Sequence, residues 1–154
     1  MILLAVLSYN PWHIRGEVVA YMRANERVLI SAAVFLDNGR ILLAQRPPGD
    51  PLGGLWELPG GKVEENESPE ACLERELFEE CGVSVWVGRK YAASSHTYPH
   101  ATVTLLAYLI EGWRGELQAH FHSQVRWFAL ADITRLELAP ADVPILTRLR
   151  HEFS

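Results

Sequence analysis

With 154 residues, 49% of them hydrophobic, the chain can bury one sizeable core and has little left over for a second. A formal net charge of −5 argues against the basic face that long nucleic acid requires, yet leaves room for a small phosphate-rich ligand bridged by divalent cations. The apolar start, Met1 to Leu7, is far shorter than a bilayer span and lacks a basic lead, so a soluble, cytoplasmic protein with no membrane partner is expected.

Residues 1–26 mix that apolar start with Asn10-Pro11-Trp12, a breaker at Gly16 and a weakly helical stretch from Glu17 to Ala24. They are assigned to an extension without a role, and residues 27–154 to one catalytic domain. Two strands follow, Val28 to Leu36 and Ile41 to Gln45, joined by Asp37-Asn38-Gly39; Asn-Gly between apolar runs is a strong hairpin signal. The prolines and glycines from Pro47 to Gly54 then break any ladder, which predicts a loop leading into Leu55-Trp56-Glu57-Leu58 and Pro59-Gly60-Gly61.

The next segment has the marks of a helix: Ser68 as N-cap, Pro69 at the first helical position, Glu70 in the first turn and Gly82 just past the end. Beyond it, Val83 to Tyr91, Thr102 to Ile110 and Gln124 to Phe128 read as strands. Val143, Ile145, Leu146 and Leu149 recur at helical spacing in a closing helix from Ala141 to His151. Cys72 and Cys81 lie nine residues apart on the first helix, about 180° round it and roughly 13 Å along it, too far to bridge.

The first helix carries the chemistry. At 100° per residue Glu76, Glu79 and Glu80 fall within one arc, and Leu73, Leu77, Phe78 and Cys81 lie largely on the other side, facing the sheet. Like charges at i,i+4 repel by about 0.2–0.5 kcal/mol per pair. A divalent cation would turn that repulsion into ligation, since hard cations take carboxylate and carbonyl oxygens; Gly60 and Gly61 let the backbone approach closely enough to offer a carbonyl. A solvated acidic face is the competing explanation.

From Gly61 to Val83 the spacing is Gly, five residues, Glu67, seven residues, then Arg75-Glu76-Leu77-Phe78-Glu79-Glu80-Cys81-Gly82-Val83. This resembles a complete Nudix box with no position missing. The resemblance implies an α/β fold, the Nudix α/β/α sandwich on a mixed β-sheet, with Mg²⁺ or Mn²⁺ held by Glu76, Glu79, Glu80 and the Gly60 carbonyl. It also implies an ion pair between Glu67 and Arg75 that orders the loop. Gln45-Arg46, Leu55 to Gly61, Trp127 and Leu138 to Asp142 are similar to the MutT-like branch, and Leu117 to His120 with Ala139 to Asp142 to its cytidine-triphosphate pyrophosphohydrolases. In oxidised-guanine relatives an Asn often stands at the place of Asp142; an ionised Asp accepts only, whereas Asn also donates.

The implied reaction is metal-dependent hydrolysis of a nucleoside triphosphate to a monophosphate and pyrophosphate, a MutT-like sanitising of the nucleotide pool, with one of Glu76, Glu79 or Glu80 as general base. Arg46, Glu57 and Asp142 are the expected substrate contacts, with Phe35 and Leu58 as a wall. Where relatives often carry a Glu six residues before Trp127, this chain has Phe121, so His120 or His122 is weighed as its substitute. His96 and His100 near a substrate loop, and Trp86, Trp113 and Trp127, are given structural or solvated roles. Partners are a small nucleotide and, as monomer or homodimer, the chain itself. Another nucleoside diphosphate derivative as substrate, or a nucleotide-sensing module without turnover, are the alternative readings.

Overall fold

The computed structural model describes residues 26–99 and 101–154, so the reading of residues 1–25 and of His100 lies outside the described residues. Glu26 already belongs to the domain, opening strand β1 (Glu26–Val34) opposite Ala101. The other elements are β2 (Leu36–Asp37), β3 (Arg40–Gln45), β4 (Trp56–Glu57), β5 (Gly60–Lys62), α1 (Pro69–Cys81), β6 (Ser84–Tyr98), β7 (Ala101–Arg114), β8 (Gln124–Ala129), a 3₁₀ turn (Leu130–Arg135) and α2 (Val143–Phe153). Among the described residues no helix is long and apolar enough to cross a membrane.

The hairpin signal at Asp37-Asn38-Gly39 is real but pairs less chain than expected. Asn38 and Gly39 have φ of 48° and 73°, the left-handed pair that a tight hairpin needs, and Leu36 stands opposite Ile41. The run from Val28 to Leu36, however, is not one strand. It changes sheets at the fully buried Phe35, so β1 and β3 lie in different sheets.

One sheet has the order β5-β1-β7-β6, with β1 and β7 parallel, Ile30 opposite Leu105, and the other neighbours antiparallel. In the second, β3 is central: β8 runs along one edge, and β2 and β4 share the other. The parallel pair explains the composition of β1. A strand buried on both faces reads as a continuous apolar run, and Ile30 to Val34 is buried throughout. Val28, Ile30, Ala32 and Val34 pack with Ile145, Leu146 and Leu149 of α2, whereas Ala33 and Phe35 pack with Leu73, Leu77 and Cys81 of α1. Helices on opposite faces of a mixed sheet make the expected α/β/α sandwich. β4 and β5 are too short to register as strands in the sequence; β5, rich in glycine, supplies the sheet edge beside α1.

α1 ends where its signals say. Ser68 Oγ accepts from Ala71 N–H at 3.1 Å, and Gly82 closes the helix at φ 71°. Ser31 of β1 donates through Oγ to the Pro69 carbonyl at 2.8 Å, pinning the first turn to the sheet. The rotation of the helix departs from the expectation. Glu76 and Glu80 are 5% and 2% exposed, while Phe78 is 64% exposed. The buried stripe is Cys72, Leu73, Glu76, Leu77, Glu80 and Cys81, two adjacent i,i+4 rows, one acidic and one apolar. The apolar row packs on the sheet and the acidic row lies over its edge, so both turn away from solvent and Phe78 is left outside.

This orientation has a direct test. Leu77→Ala should lower the unfolding free energy by about 2–5 kcal/mol, as a deleted core side chain does, whereas Phe78→Ala should stay within about 0.5 kcal/mol. Urea titration of both variants checks it, and an equal cost at Phe78 would show that the helix sits differently.

Candidate active site

Gly61 explains how a carboxylate fits beneath a helix. In β5 it pairs with Ser31, and a Cβ added there would lie 2.4 Å from Glu76 Cδ, so only hydrogen leaves room for that side chain. Gly60 has a different reason: its Cβ would meet the Ser31 carbonyl oxygen at 2.0 Å, since the backbones of β1 and β5 nearly touch. Cys72, behind Glu76, directs Sγ at the Gly61 and Lys62 carbonyls at 3.4 Å. Burial first, then the Glu76 charge, pushes its thiol up to about 12; Cys81 is pushed to about 12 by burial, so neither is a thiolate nucleophile.

Arg75 is the hub of the acids. Its Nε and one terminal nitrogen hold Glu67 bidentately at 2.7 and 2.8 Å, as the motif implies, and Glu67 also accepts from the Glu64 N–H at 3.1 Å. The hydrogen bond from Arg75 takes the Glu67 carboxyl down to about 2. The other terminal nitrogen meets Glu76 Oε1 at 2.7 Å and Glu79 Oε2 at 3.7 Å. Two of the three helix acids are thus drawn to a guanidinium rather than to one another. Among the described residues no three Asp, Glu, His or Cys side chains already stand together as ready metal ligands.

The residues nevertheless fit a cation. Glu76 Oε2 and both oxygens of Glu80 are buried without a hydrogen-bond partner, and His122 Nδ1 beside them is in the same condition. Orphaned anionic oxygens are costly, and a divalent ion is the ligand their chemistry calls for. Burial, and after it the neighbouring Glu76, pushes the Glu80 carboxyl well above the carboxylate range.

Of the two histidines weighed, only His122 enters the site. Its Nε2 lies 3.0 Å from Glu57 Oε1 and its Nδ1 3.7 Å from Glu80 Oε2. His120 instead caps the end of α1 from outside, with its ring against the Glu79 carbonyl and Gln118. The chain bends through residues 120–123, so spacing alone could not choose between them. Phe121 lies edge-on to His122, centroids 5.2 Å apart.

Arg46 lines the cleft through a side chain held by two carboxylates. It is buried, with Nε and one terminal nitrogen on Asp50 at 2.9 and 2.5 Å and the other nitrogen on both Glu57 oxygens at 3.1 and 3.2 Å. Burial raises the Glu57 carboxyl, but Arg46 and His122 outweigh it and hold it below the ordinary range. Asp50 escaped the sequence reading; its only signal is the i,i+4 spacing from Arg46. Asp142 is reached from far along the chain: Trp56 and the segment Glu137 to Ala139 exchange backbone hydrogen bonds, which carries Asp142 to the Leu58 N–H at 2.8 Å. Burial and then the Glu57 charge push its carboxyl well above its usual value.

These groups line one narrow cleft between the two sheets, with a cavity of about 20 Å³ in this structure. Arg46, Glu57, His122, Asp142 and the two glycines form its polar side, and Ile30, Leu58, Val103, Leu105 and Ala141 its apolar side. Leu58 is therefore a wall as expected, but Phe35 is core on the α1 side. His96 packs against the Tyr98 ring, and Trp113 stacks between Phe35 and Trp127, away from the cleft.

A sequence profile of the NUDIX domain matches residues 31–148. The CTP pyrophosphohydrolase of Escherichia coli is 40% identical over 117 residues, 76% of this chain and 87% of that protein. The 8-oxo-dGTP diphosphatase of Proteus vulgaris is 39% identical over 97 residues, 62% and 87% of the two chains. Among solved structures, the MutT NUDIX hydrolase of Burkholderia pseudomallei superposes with a TM-score of 0.74 at 28% identity, covering 81% of this chain and 99% of its own. Together with the complete box from Gly61 to Val83 and the carboxylates it gathers, these matches show that the chain belongs to the Nudix family, as a hydrolase of the MutT-like branch.

Proposed function

We propose that this hydrolase cleaves a nucleoside triphosphate, with a cytidine or an oxidised base, to the nucleoside monophosphate and pyrophosphate, cleaning the nucleotide pool. One observation carries the reading: unpartnered carboxylate oxygens of Glu76 and Glu80 lie beside Glu57 and His122, which border a cleft that ends at Asp142. Phosphate chemistry at one end and base reading at the other suit a nucleotide laid across the sheet edge. The 40% identity to a protein named CTP pyrophosphohydrolase supports the choice of a triphosphate.

Glu76, Glu79, Glu80 and the Gly60 carbonyl would hold Mg²⁺ or Mn²⁺. Such an ion supplies Lewis acidity, acidifying a bound water and neutralising charge on phosphate oxygens. Arg75 then serves by keeping Glu67 and the loop after β5 in place, and by lying against the Glu76 and Glu79 carboxylates. A proton from the attacking water passes to one of the three helix glutamates as general base. At the far end Asp142 meets the base and Leu58 covers one side of it, while Arg46 holds Glu57 against His122.

Incubation with Mg²⁺ and a panel of CTP, dCTP, 8-oxo-dGTP, the ordinary triphosphates, a dinucleotide and a nucleotide sugar, followed by pyrophosphate and monophosphate detection, should show fastest release from one of the first three. Faster cleavage of the dinucleotide or sugar nucleotide would replace the reading, and tight binding with no cleavage of anything would make the protein a sensor. Glu79→Gln should lower kcat at least about tenfold, as loss of metal-site partners does, while its stability moves by no more than about 0.5 kcal/mol, its side chain being 28% exposed. The Glu67 carboxyl, held at about 2 when folded, adds stability that is fully present above the ordinary carboxylate range and lost as pH falls from about 4 toward 2. Glu67→Gln should therefore show a smaller loss of denaturation midpoint between pH 6 and pH 3 than the wild type; an identical loss would dissociate Glu67 from the acid transition.

A further inference from the structure

His122 has one nitrogen satisfied and one not. Arg46 grips Glu57 through both carboxylate oxygens, so that group is ionised and can only accept. In the neutral imidazole, the form that can bind a metal, the proton then sits on Nε2, which donates to Glu57 Oε1 across 3.0 Å. That leaves Nδ1 with a bare lone pair. It is buried, its side chain 2% exposed, has no hydrogen-bond partner, and faces Glu80 Oε2 at 3.7 Å, beyond hydrogen-bond reach.

Glu80 offers two unpartnered oxygens beside that unpartnered nitrogen, a set of donors with no protein group to serve. The spacing suits a shared cation: two ligands at about 2.1 Å from one ion, spread by about 120°, stand about 3.6 Å apart. The partner behind the imidazole fits as well, because a metal-bound histidine commonly donates its other N–H to a carboxylate that fixes tautomer and ring orientation. Phe121, edge-on to the ring, adds packing from the side.

We propose that His122 Nδ1 is itself a ligand of the site's divalent cation, beside Glu80, with Glu57 as the carboxylate that sets its tautomer. This rests on the reading that the α1 glutamates hold a cation, and adds a nitrogen donor from the loop before β8. An imidazole nitrogen suits Co²⁺ and Zn²⁺ better than Mg²⁺, so the site ranks those ions above Mg²⁺ more strongly than an all-oxygen site would.

The test uses the full chain loaded with Mn²⁺ and electron spin-echo modulation, which detects a nitrogen bound directly to the ion. Calorimetric titrations with Mg²⁺ and Co²⁺ accompany it, on the wild type and on His122→Ala, with circular dichroism to check the fold. The expected result is nitrogen modulation in the wild type, its loss in the variant, and a Co²⁺ affinity about 10–100-fold lower with a smaller fall for Mg²⁺. Tight cation binding without nitrogen modulation, or unchanged Co²⁺ affinity in a folded variant, overturns the inference while leaving the glutamate site intact. Failure of the wild type to bind any of these ions overturns the glutamate reading itself, and this inference with it. Should the variant not fold, the wild-type spectrum decides alone.

Discussion

Everything at the working end of this protein depends on keeping several carboxylates together in a place with little water. Two unit charges 4 Å apart repel by about 4 kcal/mol at an effective dielectric near 20, against about 1 kcal/mol in bulk water. Glu76 and Glu80 are 5% and 2% exposed, so their mutual repulsion is of the larger kind. Arg75 offsets part of it by binding Glu67, Glu76 and, more loosely, Glu79. Its pairing leaves Glu80 and the far oxygen of Glu76 without a partner, a costly condition for buried carboxylates.

The sandwich exists to hold that repulsion in place. α1 is fastened at both ends, by Ser31 and Ser68 at the start and by Gly82 with the His120 segment at the finish, and along its length by Leu73, Leu77 and Cys81. With the apolar row anchored, the acidic row has no freedom to swing out to solvent. Gly61 supplies the space beneath it, and only because β5 lies against β1. Stability in the core is thus converted into a fixed arrangement of charges at the edge, the kind of preorganisation on which metal-assisted phosphate chemistry depends.

A second polar cluster faces the first across the cleft. Asp50, Arg46, Glu57 and His122 form a chain of charge-assisted contacts that starts in the loop after β3 and ends at His122, whose Nδ1 stands 3.7 Å from Glu80. Its members come from three separate stretches of sequence, and each positions the next. Arg46 belongs to this chain as the residue that holds Glu57 ionised, a role its place next to the Pro-Gly loop does not announce. Asp142, carried in by the backbone exchange between Trp56 and the 137–139 segment, closes the other end of the cleft.

Local signals in the sequence determined the elements whose causes are local. Ser68, Pro69 and Gly82 bound α1 to the residue, Asn38-Gly39 placed the turn, and the spacing from Gly61 to Val83 identified the family and the Glu67–Arg75 pair. What it could not decide were quantities set by distant partners. Phe78 lies outside and the acids inside because the apolar row of α1 docks on one sheet edge, a rotation of the helix that periodicity leaves ambiguous when apolar and acidic rows adjoin. β1 and β3 part company at Phe35 because the parallel partner β7, some seventy residues on, outcompetes the hairpin for β1. His122 rather than His120 enters the site because the chain bends through residues 120–123, and where each ring lands is set by contacts with Phe121, Glu57 and Glu80 that spacing does not encode.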